Sequence, residues 1–166
     1  MAFDRLIRTL PFANQRIAVV GMGREGISSA RFLFDWFPSA RVGLFDRQPV
    51  SKLSPAVADI ARGRSMVSVA TGSAYLSSLS EYDAIFRSPG VPLPAIRPRA
   101  AKRATITSQT QVFLTLLSKK TIGVTGTKGK STTATLVYDI IRRVDPDTWF
   151  GGNIGDPPLE VFRSPR

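Results

Sequence analysis

The clearest indication of the fold comes from Arg16-Ile17-Ala18-Val19-Val20-Gly21-Met22-Gly23-Arg24-Glu25-Gly26. Its first half is an apolar run that predicts a buried β-strand, and three glycines follow at the spacing Gly-x-Gly-x-x-Gly. Apolar residues then recur every three or four positions, which predicts a helix with one buried face. That face carries Ile27, Ala30, Phe34 and Phe37. A strand, a glycine turn and a helix in this order are the opening unit of an α/β fold with a parallel sheet.

A second strand, predicted at 41–45, ends at Asp46, which lies 20 residues after Gly26. Three glycines at this spacing with an acidic residue about 20 positions later form the dinucleotide-binding fingerprint, in which the acid accepts hydrogen bonds from ribose hydroxyls. Taken alone, the pattern favours NAD. The alternative is that the glycines serve only close packing of the strand against the helix.

The rest of the chain continues the alternation of strands and helices, which argues for parallel sheets in α/β layers. Further strands are predicted at 66–70, 82–87, 104–107, 121–125 and 148–150, and further helices at 54–62, 94–103, from 109 onward and from 130 onward. The spacing of Ser108 and Gln111 predicts a capping box at the start of one helix. Ser88-Pro89-Gly90-Val91-Pro92 predicts a rigid turn.

A second glycine loop, Val124-Thr125-Gly126-Thr127-Lys128-Gly129-Lys130-Ser131-Thr132-Thr133, lies between a predicted strand and a predicted helix. Glycines let backbone N–H groups turn toward a phosphate, and the positive end of the helix dipole points at the same place. Lys130 can reach the β- and γ-phosphates, and the Ser131 hydroxyl can bind Mg²⁺. The strict pattern has glycine where Val124 stands, so the loop is a variant of that pattern.

Composition excludes several classes of chemistry. The 166 residues include no cysteine and no histidine, which removes disulfides, thiolate nucleophiles and the Ser–His pair. A net charge of +11 suits an anionic ligand. The basic cluster Arg97, Arg99, Lys102 and Arg103 is interpreted as a solvated face rather than a nucleic-acid surface, because aromatic residues do not alternate with it. No apolar run is long enough to span a membrane, and a cytoplasmic protein is expected.

Taken together, the motifs resemble those of the Mur ligases. The resemblance rests on Ile-Ala-Val-Val-Gly-Met-Gly-Arg-Glu-Gly, Leu-Phe-Asp, Arg-Ser-Pro-Gly-Val-Pro, Gly-Val-Thr-Gly-Thr-Lys-Gly-Lys-Ser-Thr-Thr and Gly-Gly-Asn-Ile-Gly, in that order, from about Arg16 to Leu159. Within the family they are most similar to the branch that adds D-glutamate. The resemblance implies a Rossmann-like domain over 1–107 that binds a UDP-linked substrate. It also implies the start of an ATP-binding domain with a P-loop over 108–166.

The resemblance also implies roles for particular residues. Residues at the positions that bind the UDP-linked substrate are Gly23, Arg24, Glu25, Asp46, Arg47, Gly90 and Asn153. Residues at the positions that bind the phosphates of ATP are Gly126, Thr127, Lys128, Gly129, Lys130, Ser131 and Thr132, with Lys130 as the catalytic cation and Ser131 as a Mg²⁺ ligand. Two residues depart from the family pattern. Glu25 stands where a small hydroxyl residue is frequent, and Lys128 stands where asparagine is commoner.

The reaction implied by the resemblance is ADP-forming amide synthesis through an acyl phosphate, with ATP and Mg²⁺ as cofactors. Its substrates are UDP-N-acetylmuramoyl-L-alanine and D-glutamate, and no nucleic-acid partner is expected. The family's metal-organising glutamate, histidine and modified lysine and its amino-acid-binding domain have no counterpart in these 166 residues. We therefore expect an N-terminal fragment that binds nucleotide without turning over.

Three alternatives stay open. A sibling ligase, adding L-alanine or of the folylpolyglutamate type, would differ in the first domain and in the added amino acid. An NAD-dependent oxidoreductase would use the first glycine loop and Asp46 but leave the Lys130 loop idle. A nucleic-acid-binding module would explain the positive charge but neither glycine loop.

Overall fold

A five-stranded parallel sheet forms the centre of the molecule. The computed structural model describes residues 3–62 and 67–163. The strands are β1 (Arg16–Val20), β2 (Arg41–Asp46), β3 (Val67–Thr71), β4 (Ala84–Arg87) and β5 (Thr105–Thr107). Their order is β3-β2-β1-β4-β5, and every neighbouring pair is parallel. The predicted α/β class with a parallel sheet is therefore confirmed. The chain leaves β1 on one side for β2 and β3 and returns on the other side as β4, so the strand order reverses at β1.

Helices connect the strands. They are α1 (Asp4–Ile7), α2 (Arg24–Trp36), α3 (Pro55–Ala61), α4 (Leu93–Ile96), α5 (Gln109–Leu117) and α6 (Lys130–Ile141). Serine side chains cap the N-termini of α3 and α5. The Ser54 hydroxyl accepts from the Ala56 N–H, and the Ser108 hydroxyl accepts from the Gln111 N–H. Within the described ranges, no helix has the length and apolar character of a membrane span.

The apolar side chains of β1 divide between two cores, because successive residues of a strand face opposite sides of the sheet. Ile17 and Val19 belong to the larger cluster, which α2 covers with Phe32 and Leu33. Ala18 and Val20 belong to the smaller one on the other face. On the predicted face of α2, Ala30 and Phe37 are buried and Ile27 and Phe34 are partly buried.

The end of the described chain completes the larger core. Leu159 and Phe162, in a 3₁₀-helix at Pro158–Phe162, are 1% and 2% exposed. The Trp36 indole Nε1–H donates to the Phe162 carbonyl oxygen at 3.1 Å, and Val112 and Leu116 of α5 belong to the same cluster. Packing therefore continues across residue 107, where the sequence motifs change from one nucleotide loop to the other.

Two predicted strands are wrong. Residues 121–125 and 148–150 form no strand, and near them the structure has only an isolated bridge between Gly151 and Asp156. A strand needs a neighbour to pair its backbone groups, and the described residues supply none beside these segments. The second α/β sheet is therefore not visible. The helical spacing of Leu136, Val137, Ile140 and Ile141 predicts an apolar face for α6. None of these four residues is buried, and Leu136 is 58% and Ile140 66% exposed.

Other predicted bounds need smaller corrections. The helix expected at 94–103 ends at Ile96, where Pro98 lacks the N–H that would donate to the Pro94 carbonyl. The strands expected at 82–87 and 104–107 each begin later, at Ala84 and Thr105. The strand expected at 66–70 is observed as β3 over Val67–Thr71, and Met66 lies outside the described residues.

Candidate functional site

The first glycine loop is fixed between β2 and the turn that follows β4. Gly21 adopts φ +91°, and its N–H donates to the Phe45 carbonyl oxygen at 2.7 Å. The Ser88 hydroxyl donates to the Gly21 carbonyl oxygen at 2.7 Å. A Cβ at Gly21 would lie 2.9 Å from the Ser88 Cβ, and one at Gly26 would overlap the Gly21 carbonyl oxygen. The first and third glycines of the motif are therefore required by close packing at the strand–helix turn.

Asp46, at the carboxyl end of β2, shapes the same loop. Its Oδ2 accepts the Met22 N–H at 2.7 Å, and its Oδ1 accepts the Gln48 N–H at 2.8 Å. Hydrogen bonds from backbone N–H groups to an ionised carboxylate are strong, so this residue joins the glycine loop to the chain leaving β2. A carboxylate oxygen accepts more than one hydrogen bond, so each oxygen keeps capacity for a ligand hydroxyl.

The predicted rigid turn at 88–92 is fastened by Arg87, a residue that the sequence analysis did not single out. Its Nη1 donates to the Val91 carbonyl oxygen at 2.8 Å and lies 3.4 Å from the carbonyl oxygens of Ser88 and Pro89. Arginine directly before a Ser-Pro-Gly turn is the only sequence signal for this contact.

A cleft of about 670 Å³ opens where these loops meet. It lies at the carboxyl ends of β1, β2 and β4, the point at which open α/β sheets bind ligands because the strand order reverses there. All seven residues that the resemblance assigns to the UDP-linked substrate line it: Gly23, Arg24, Glu25, Asp46, Arg47, Gly90 and Asn153. Gln48 and Tyr75 also line the cleft and were missed, since no motif marks them. Ser88 lines it too, within the predicted turn, but had been assigned no binding role.

Asn153 reaches this cleft from the far end of the chain. The Arg24 Nη2 donates to the Gly155 carbonyl oxygen at 2.9 Å, across a sequence separation of 131 residues. This contact fastens the Gly-Gly-Asn-Ile-Gly segment to the first turn of α2. Arg24 therefore bridges two glycine segments that the sequence places far apart.

The second glycine loop stands exposed in front of α6. Gly126 and Gly129 adopt φ +152° and +75°, backbone angles that residues other than glycine rarely adopt. The Lys130 Nζ folds back and donates to the Gly126 carbonyl oxygen at 2.6 Å, with the Thr127 carbonyl oxygen at 3.4 Å. The loop and the helix lie in the predicted order, although the segment before them is not a strand.

The residues of this loop fit a triphosphate. Within the described part of the chain no side chain caps α6, so the N–H groups of its first turn remain available to an anion. The two carbonyl contacts of Lys130 are ones that a phosphate can replace. For Mg²⁺ the fit is narrower, because the described residues contain no group of three or more metal-ligating acidic, His or Cys side chains. Ser131 would hold the ion together with phosphate oxygens.

Comparisons with known proteins agree with these motifs. Residues 15–108 match the family described as Mur ligase MurD-like, N-terminal domain. The UDP-N-acetylmuramoylalanine–D-glutamate ligase of Symbiobacterium thermophilum is 38% identical over 149 residues, which cover 89% of this chain and 32% of that protein. The ligase of the same name from Ruminiclostridium cellulolyticum is 37% identical over 148 residues, 88% of this chain and 31% of the relative. The one from Clostridium kluyveri is 34% identical over 145 residues, 86% of this chain and 31% of the relative. The chain thus spans about a third of the length of the curated relatives it matches.

Proposed function

The chain belongs to the Mur ligase family with a MurD-like N-terminal domain, and from this premise we propose that it serves D-glutamate addition to UDP-N-acetylmuramoyl-L-alanine. The reaction would be an ADP-forming amide synthesis in the making of peptidoglycan precursors for the cell wall. One observation carries the proposal: all seven residues assigned to the UDP-linked substrate line one cleft. Because such substrates are nucleotide-linked and soluble, we expect the enzyme in the cytoplasm.

The proposal divides the work between two parts of the chain. Residues 1–107 would hold the UDP-linked substrate, with Asp46 accepting from uridine and Asn153 reaching in from the later segment. Residues 108–166 would begin the ATP-binding domain. When bound, ATP with Mg²⁺ supplies the phosphoryl group that activates the substrate carboxylate. Lys130 and the first-turn amides of α6 would stabilise the negative charge on that group as it moves, the usual dominant contribution in phosphoryl transfer.

Glu25 is the residue whose presence the proposal must accommodate. It lines the cleft in the first turn of α2, where a carboxylate interacts favourably with the helix dipole. The same carboxylate would repel a diphosphate placed directly against it. We therefore propose that Glu25 faces the base of the nucleotide, and that Arg24 and Arg47 offset its charge.

Parallel titrations of the chain with UDP and NAD test the proposal against the oxidoreductase alternative. UDP should raise the thermal midpoint with rising concentration, and NAD should have little effect, because a ligand stabilises the state that it binds. A clear preference for NAD would overturn the ligase proposal and restore the dehydrogenase interpretation.

Two arginines at opposite ends of β2 provide a matched pair of variants. Arg47 lines the cleft at the carboxyl end, and the exposed Arg41 lies at the amino end. Arg47→Gln should weaken UDP binding about tenfold or more, because a hydrogen bond to a charged group contributes about 1.5 kcal/mol at the lower end of its range. Arg41→Gln should leave the UDP affinity unchanged. Equal losses in both variants would indicate a general charge effect instead of a site.

The ATP half of the proposal has its own matched pair, Lys130 and the exposed Lys119. Lys130→Ala should weaken MgATP binding by about 1.5–3 kcal/mol, since a hydrogen bond to a charged phosphate is lost. Lys119→Ala should not change it. Isothermal titration of both variants measures the difference, and an unchanged affinity in folded Lys130→Ala would contradict the assignment of the loop.

A further inference from the structure

A second concave surface adjoins the nucleotide cleft and has a different character. We call it the basic groove, with a volume of about 430 Å³, and its polar lining comes from Arg47, Ser73, Tyr75, Ser77 and Arg99. Arg47 and Tyr75 line the cleft as well, so the two surfaces share a wall. Of its lining residues, Arg47 follows the carboxyl end of β2, and the segment from Ser73 to Ser77 follows that of β3.

Every polar side chain of the groove can donate hydrogen bonds, and its hydroxyls can also accept them. Among the described residues, the side chains of Arg47, Ser73, Tyr75 and Ser77 make no hydrogen bond or ion pair. The Arg99 Nη1 donates one N–H to the Ala95 carbonyl oxygen at 2.9 Å. A guanidinium carries five N–H donors, so both arginines keep most of theirs free.

Among the residues that the structure describes, no acidic side chain lines the groove to balance the two guanidinium groups. Like charges that line one concave surface repel one another, and the chain as a whole adds to this with a net charge of +11. An anion with several oxygens relieves the repulsion and accepts from guanidinium and hydroxyl donors together. Arginine suits phosphate in particular, because its planar donors match two phosphate oxygens at once.

We propose that the basic groove is a second anion site, which binds a phosphate-type oxyanion beside the nucleotide. The anion contacts Arg99 from one side and Arg47 from the other, with the hydroxyls of Ser73, Ser77 and Tyr75 completing its shell. Because Arg47 belongs to both surfaces, an anion in the groove and a nucleotide in the cleft contact the same guanidinium. Anion binding in the groove depends on the groove's own residues and does not require that the cleft bind UDP.

The test is a titration of the ¹⁵N-labelled chain with pyrophosphate, followed by amide chemical shifts. The amides of Ser73, Ser77 and Arg99 should shift, and saturating UDP should leave these shifts in place if the anion comes from solution. If UDP alone shifts the same amides and prevents the effect of pyrophosphate, a phosphate of the nucleotide itself occupies the groove, and the proposal of a second anion site is overturned. Absence of groove shifts with either compound would overturn the proposal. The Gly21–Gly26 amides report separately on UDP binding in the cleft. If UDP does not shift them, the proposed nucleotide site is wrong, whatever the groove amides show.

Two nearby arginines separate a built site from general attraction. Arg99→Gln should weaken pyrophosphate binding at the groove about threefold to tenfold, and Arg99→Lys should recover part of the loss because it keeps the charge without the planar donors. The control is Arg97→Gln, which removes the same charge two residues away at a position that does not line the groove. It should leave the groove affinity within twofold of the wild-type chain. A loss in Arg97→Gln as large as that in Arg99→Gln would contradict the proposal.

Discussion

A methyl group at Gly26 would overlap the carbonyl oxygen of Gly21, whereas one at Gly23 would meet nothing within 4 Å. The difference separates two glycines of one motif. The third glycine is needed for the packing of α2 against the end of β1, and the second leaves open space facing the cleft. Because Gly23 has φ −74°, its backbone also tolerates a side chain.

This difference predicts opposite outcomes for two identical substitutions. Gly26→Ala should lower the free energy of unfolding by about 1–3 kcal/mol, because overlap with fixed backbone outweighs the roughly 1 kcal/mol that alanine gains in a helix. Gly23→Ala should change it by less than about 0.5 kcal/mol. Urea denaturation of both variants measures the two values. Equal stabilities would mean that the loop relaxes freely around an added methyl group.

At this scale the residues that the resemblance assigns to the UDP-linked substrate line one cleft, and their binding role stays a prediction. The contacts that hold them there could not be predicted from the motifs. The spacing of Gly21, Gly26 and Asp46 marks a dinucleotide-type loop, because backbone geometry and charge are local properties. The hydrogen bond from the Met22 N–H to the Asp46 carboxylate depends on the register between β1 and β2. No short motif encodes that register. The same holds for Arg24, whose partner Gly155 is 131 positions away.

At the scale of elements, two late segments of the chain differ sharply in their packing. The 3₁₀-helix Pro158–Phe162 lies in the larger core, where the Phe162 ring meets the rings of Phe3, Phe32 and Phe113 at centroid distances of 5.2, 5.8 and 6.2 Å. By contrast, α6 has no buried residue. Apolar periodicity predicted a buried face for α6, but periodicity does not supply the neighbour that buries it. The same reason explains why 121–125 forms no strand.

The same truncation in these two elements should therefore have unequal effects. Leu159→Ala, at a position 1% exposed, should cost about 2–5 kcal/mol through lost burial and the cavity left behind. Leu136→Ala, at a position 58% exposed, should change the stability by less than about 0.5 kcal/mol. Thermal and urea unfolding monitored by the tryptophan signal compare them. If Leu159→Ala proved neutral, the 3₁₀-helix would not be part of the cooperative core.

Across the whole molecule, stability should fall from the centre of the sheet toward α6. Residues 17–20 of β1 are fully buried and paired on both sides, by β2 and by β4. Their amides should exchange with deuterium only when the whole domain unfolds. Amides in α6 should exchange at least about a hundredfold faster, because few packed contacts oppose local opening of that helix. Hydrogen-exchange mass spectrometry resolves the two regions, and uniform protection would contradict this gradient.

The α/β class of the five-stranded sheet could be predicted, because apolar runs alternate with glycine turns and helical periodicity as far as Thr107. The closure of the core by residues near Phe162 could not be predicted. The segment after Gly155 carries no periodic pattern. Its two buried apolar residues, Leu159 and Phe162, can be recognised as core residues only once the positions of α2 and α5 are known.

That closure sets an order of events during synthesis. The ribosome adds roughly 5–20 residues per second, so the 55 residues from 108 to 162 take about 3–11 s to appear. Through that interval every strand of the sheet has been made, yet the rings of Phe3 and Phe32 still lack their Phe162 neighbour. Until Phe162 is added, the nascent sheet thus exposes apolar surface on the face of the larger core. We expect a chaperone to bind that surface before the chain covers it.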